Sequence, residues 1–137
     1  MARRDYLLKR IKEFSAVLAK ILKLRYAGDF VLAEQQIDHT LREWLKLDPD
    51  VFSSLPPDDI ALVLRDLGWQ EEGLELVAEL LLQKGHIRYE TSEPEAAHKH
   101  WRQASAILQN VNLSSEEYSL ERLNKIRDLE ERLKFKD

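Results

Sequence analysis

The chain has 137 residues, 21 Lys and Arg against 25 Asp and Glu, four His and no Cys, for a formal charge of −4. That length suits one domain, and the absence of Cys excludes disulfides, zinc–thiolate and iron–sulfur centres and thiol nucleophiles together. The small number of Gly and Pro, four of each, argues against a strand-and-turn architecture. No apolar run reaches the 18 or so residues of a membrane span, and the N-terminus lacks a secretory pattern, so a cytoplasmic location is expected.

Apolar residues recur at three- and four-residue spacing almost throughout, which predicts an all-α fold of about six helices. The first is expected at about 4–26, with Leu7, Ile11, Phe14, Leu18 and Ile21 on one face and Gly28 as its stop. The second, about 29–46, carries Phe30, Ala33, Ile37, Leu41, Trp44 and Leu45, and Asp48-Pro49-Asp50 closes it. Residues 51–55 form a link with room for one helical turn. Pro56-Pro57-Asp58-Asp59 then starts a helix over about 57–67, with Pro in its first turn and carboxylates at the positive end of the dipole. Gly68 ends it. The fourth helix, about 69–84, is leucine-rich on more than one face, which predicts the deepest burial, and Gly85 is read as its terminator. Ser92-Glu93-Pro94-Glu95 and Ser114-Ser115-Glu116-Glu117 read as capping boxes opening helices at about 93–110 and 115–134. Short connections make neighbouring helices antiparallel hairpins.

At two places the pattern resembles the tetratricopeptide repeat, a helical hairpin of about 34 residues with small residues at the helix crossing. One is Gly28-Asp29-Phe30 with Ala33, Ile37, Leu41 and Pro49; the other is Ala97, Trp101 and Ala104 behind Ala78-Glu79-Leu80-Leu81 and Gly85. The chain also resembles an uncharacterised family of short bacterial all-helical proteins. The features that carry this resemblance are Asp5-Tyr6, Gly28 with Ala33, Leu47-Asp48, Leu55 with Asp58-Asp59, and Glu79-Leu80-Leu81. The resemblance implies a tetratricopeptide-like stack with a scaffolding or adaptor role and brings no catalytic residue with it.

Chemistry-bearing patterns are few. Glu95-Ala96-Ala97-His98 has the Glu-x-x-His spacing of di-iron bundles, but such a site needs two copies and two further Glu residues, and only one copy is present. His98 and His100 lie about 200° apart on a helix and do not share a metal easily. Glu71, Glu75 and Glu79 form an acidic stripe, read as a solvated face. Nucleophile elbows and phosphate-binding Gly-rich loops are absent, so no catalytic, cofactor or metal residue is assigned and no enzyme activity is expected.

The clearest asymmetry is electrostatic. Residues 1–27 hold eight basic and two acidic side chains, net +6, and the remainder is net −10. Lys9, Lys12, Lys20 and Lys23 fall within about 80° of one another on a helical wheel, opposite the Leu7–Ile21 stripe. The expected function is therefore a non-catalytic protein–protein interaction or scaffolding module. Its partner would be an acidic protein surface or a second copy of the chain, met either by that basic face or by a groove lined by Tyr26, Phe30, Tyr89 and Trp101. Overall acidity argues against nucleic acid, and the need to bury the apolar stripe argues against membrane. The alternative reading is a small-molecule- or metal-binding helical protein using Glu95, His98 and His100.

Overall fold

Three helix ends share one backbone motif, and together they set the order of the fold. In a computed structural model, which describes residues 2–134 and the side chains of residues 9–134, α1 (Ala2–Tyr26) is closed by Gly28 at φ +82. Asp29 N–H bonds to Leu24 O at 2.8 Å and Gly28 N–H to Arg25 O at 3.0 Å, the pair of bonds that satisfies the last carbonyls of a helix. Gly68 at φ +95 closes α4 (Pro57–Asp66) in the same way. The third instance needs no glycine. Ser92 takes φ 64, and Glu93 N–H reaches back to Arg88 O at 2.8 Å, closing α5 (Glu71–Glu90).

That geometry corrects two expectations. Ser92 is the stop of one helix and not the cap of the next, so α6 (Pro94–Ser114) starts on Pro94 with no side-chain cap. Gly85 does not terminate α5, which runs on to Glu90. The reason is a contact: a Cβ at Gly85 would lie 2.3 Å from Trp101 Nε1 and 2.4 Å from Cδ1, so the glycine is the slot that receives the indole from α6. Burial in that contact outweighs the roughly 1 kcal/mol that Gly costs inside a helix.

Two further boundaries move. Asp48-Pro49-Asp50 is a start signal rather than a stop. Asp48 Oδ1 accepts from Asp50 N–H at 2.8 Å and Pro49 sits in the first turn of the short α3 (Pro49–Ser53), while α2 (Phe30–Leu45) ends on Lys46 at φ 57. Ser114 is still helical in α6. α7 (Leu120–Lys134) is capped by Ser119, whose Oγ accepts from Arg122 N–H at 3.1 Å, while Ser115 makes a local turn with Glu117. The described residues thus form seven helices and no strand.

α5 and α6 form the centre. Leu74, Val77, Ala78, Leu80 and Leu81 meet Ala97, Trp101, Ala104, Ile107 and Leu108, all buried, and Gly85, Ala97 and Ala104 let the two helices approach closely. α1 packs on α2 and α5, α2 also on α3 and α5, and α6 on α4 and α7. A second aromatic centre, Phe14–Trp44–Trp69 with centroids 5.7 and 6.4 Å apart, ties α1 to the end of α2 and to the turn before α5. No helix among the described residues is long and apolar enough to cross a membrane.

Candidate interaction surface

Charged side chains divide into those that tie helices together and those that do not. α5 collects the ties. Lys84, 5% exposed, donates to Asp38 Oδ1 of α2 at 2.8 Å, and Arg88 forks onto both oxygens of Glu34 at 2.7 and 2.6 Å. That fork holds the Arg88 pKa above its ordinary value. On the other side of α5, Glu75 takes Arg122 of α7 at 2.8 Å and Glu79 takes Lys125 at 2.9 Å. Two thirds of the acidic stripe that the sequence presents as a solvated face is therefore an ion-pair seam between α5 and α7. The stripe was visible at i, i+4, i+8, but the helix opposite it was not.

Lys9, Lys12, Lys20 and Lys23 belong to the second group. All four are exposed on α1 and none pairs with a described residue. Between them lie Ala16 and Ala19, also exposed. Opposite, Phe14 and Ile21 are buried and Ile11, Val17 and Leu18 half-buried, as the wheel requires. Leu7 lies among residues whose side chains are outside the described set. Like-charged pairs at i, i+3 are mildly unfavourable to a helix, and no ion pair among the described residues offsets them here.

The four aromatic residues do not share one position. Trp101 is 2% exposed, wedged on Gly85 with His86 and His98 edge-on at 5.6 and 5.4 Å, Tyr89 at 5.6 Å and the Arg132 guanidinium over it at 5.5 Å. Tyr89 is exposed and covers the indole from outside, Phe30 is half-buried against the core, and Tyr26 is 74% exposed beneath the Arg25 guanidinium. Two shallow depressions lie elsewhere. One, of about 480 Å³, sits between Leu82 of α5 and the Leu120–Asp128 stretch of α7; the other, of about 490 Å³, lies between Asp58, Arg102 and Glu130. Neither is lined by any of the eight residues.

Glu95, His98 and His100 are not brought together as a ligand set. Glu95 is exposed at the start of α6, His98 Nδ1 faces Pro94 O within its own helix, and His100 Nδ1 faces Gln103 Oε1 at 3.4 Å. Glu71 or Glu75 of α5 would have to join them, and Glu75 is held by Arg122 of α7. The described residues contain no group of three His, Asp or Glu able to hold a metal ion.

The histidines have a measurable consequence. Burial first, then Lys84, with Arg88 and Lys99 behind it, pushes His100 down to about 4; burial first, then Arg132 and Arg25, pushes His86 down to about 4 against Asp128 and Glu79. Both are therefore neutral in the folded chain, whereas in the unfolded chain they protonate near 6.5. Between about pH 6.5 and pH 4 the unfolded state binds more protons, so stability falls as pH falls through that window. Urea unfolding at pH 7 and pH 4.5 is expected to differ by several kcal/mol, at roughly 3 kcal/mol for each histidine once fully titrated. His100→Gln removes about half of the difference. An unchanged midpoint slope with pH in that variant contradicts the assignment.

The sequence reading left out the outer face of α4. Asp58, Leu62 and Asp66 step by four, with Asp59 beside them, and all four side chains are exposed. Helical periodicity alone aligns these residues, but Asp58 and Asp59 read first as a helix start. Comparison with known proteins finds no family model, no curated protein and no solved structure that matches the chain.

Proposed function

We propose that the chain is a non-catalytic protein–protein interaction module that docks an acidic protein surface through Lys9, Lys12, Lys20 and Lys23. The carrying observation is selective pairing: basic residues of α5 and α7 close ion pairs across helices, while these four lysines stand exposed and unpaired among the described residues. A rigid helix with one-signed charge on one face steers and orients a complementary partner. The packing order supports a tetratricopeptide-like reading as well. α1 lies on α2 and α5, α2 on α5, α5 on α6 and α6 on α7, which is the adjacency of successive helical hairpins with α1, α5 and α7 as their first helices.

The test is affinity capture of partners by the wild-type chain and by a Lys9, Lys12, Lys20, Lys23→Glu variant matched for helicity by circular dichroism. A stoichiometric partner present only with the wild type, and weakening steeply with added salt, is the expected result. A partner retained equally by both chains moves the site off α1.

A further inference from the structure

We infer that the acidic surface met by the basic face of α1 is the outer face of α4 on a second copy of this chain, an inference that rests on the docking role of that basic face. The charges on the two surfaces are opposite in sign: the face of α1 carries the four lysines, and the outer face of α4 carries Asp58, Asp59 and Asp66. Among the described residues neither set takes part in an ion pair, although acids before and after α4 do.

The surfaces also match in shape. Lys9 to Lys20, and Lys12 to Lys23, each span eleven residues of helix, about 16 Å; Asp58 to Asp66 spans eight, about 12 Å, within the reach of lysine side chains at both ends. Between the acids stands Leu62, 58% exposed; between the lysines stand Ala16 and Ala19, small and exposed. A leucine knob set on an alanine step, with Lys–Asp pairs at either end, is a complementary helix-on-helix contact. Asp66 supplies an independent argument. An acid in the last turn opposes the helix dipole, and Asp66 takes part in no ion pair among the described residues, so a cation from outside the chain would relieve it.

Sedimentation velocity on the purified full chain tests this, at about 50 mM and about 500 mM salt. The wild type is expected to sediment above the 16.1 kDa monomer at low salt and to dissociate at high salt. A closed pair and an open chain of copies both satisfy the inference. The Lys9, Lys12, Lys20, Lys23→Glu variant and an Asp58, Asp59, Asp66→Lys variant are each expected to be monomeric, and their equimolar mixture to associate again, because every contact between unlike copies then joins an acidic face to a basic one. Asp66→Lys alone guards against unfolding: it removes an acid from the negative end of α4, so α4 gains stability while self-association weakens about tenfold. A wild type that stays monomeric at low salt overturns the inference. So does an Asp58, Asp59, Asp66→Lys variant that still associates, which assigns the contact to another acidic surface. In either case, an external partner that still requires the four lysines leaves the docking role of α1 standing; loss of that partner dependence removes the role itself.

Discussion

Replacing Trp101 with Ala is expected to lower the unfolding free energy by about 3–5 kcal/mol, the range for deleting a large buried aromatic side chain. Gly85→Ala is expected to lower it as well, by about 1–3 kcal/mol, although helix propensity taken alone predicts a gain of about 1 kcal/mol. Both numbers come from one contact. The indole of Trp101 occupies the space a side chain at position 85 would need, with its Nε1 2.3 Å from the ideal Cβ position. It has nowhere to retreat: His86, His98 and Tyr89 surround it and Arg132 lies over its face. Gly73 provides the comparison. A Cβ there also approaches an indole, Trp69 Cε3 at 2.3 Å, but Trp69 is only half-buried and sits at the mouth of a turn, so the ring can give way. Gly73→Ala is accordingly expected to be milder than Gly85→Ala. The decisive measurement is a double-mutant cycle by urea unfolding at pH 7: in a Trp101→Leu background, Gly85→Ala should become neutral or stabilising. If Gly85→Ala is equally damaging in both backgrounds, the clash does not account for it.

This contact also shows where the sequence stops being readable. The period of the apolar residues is local information, and it placed every long helix, because an amphipathic stripe is written in residues three and four apart. Helix ends are written locally only when the backbone itself demands glycine, as at Gly28 and Gly68 with their positive φ. Gly85 looks the same in one dimension, but its reason lies sixteen residues away on α6. Ser92 presents the converse case: a left-handed stop without glycine, in a stretch that spells a capping box. The acidic stripe on α5 was legible as a pattern, while its meaning depended on Arg122 and Lys125, which only the packing of α7 brings opposite. The basic face of α1 needed no partner within the chain to be recognised, so the wheel sufficed. The face of α4 went unread because a helix-start explanation was available for half of it.

Asp38→Ala is expected to be among the most damaging single changes to a half-exposed residue, at about 3–5 kcal/mol, whereas Lys84→Met is expected to change stability by less than about 1 kcal/mol. The two residues form one ion pair, 2.8 Å long, but in unlike surroundings: the Lys84 side chain is 6% exposed and that of Asp38 28%. Removing the aspartate leaves a buried ammonium whose remaining contact is Ser53 Oγ at 3.4 Å. Removing the ammonium leaves a carboxylate that water still reaches, and methionine fills the vacated volume with apolar atoms. The double variant should consequently be more stable than Asp38→Ala alone, a reversal that additive contributions do not produce. Lys84→Met has a second, independent signature. After burial, the Lys84 charge is the largest influence holding His100 at about 4. Without it the folded-state value of His100 moves up toward the unfolded 6.5, the proton uptake on unfolding between those values shrinks, and stability declines less as pH falls from 6.5 to 4. Urea midpoints of wild type and Lys84→Met, measured at pH 7 and again at pH 4.5, should therefore converge or cross in the variant's favour at the lower pH. Parallel midpoints at both values would show that Lys84 and His100 do not share an environment, and would remove the electrostatic link between the α2–α5 latch and the centre of α6.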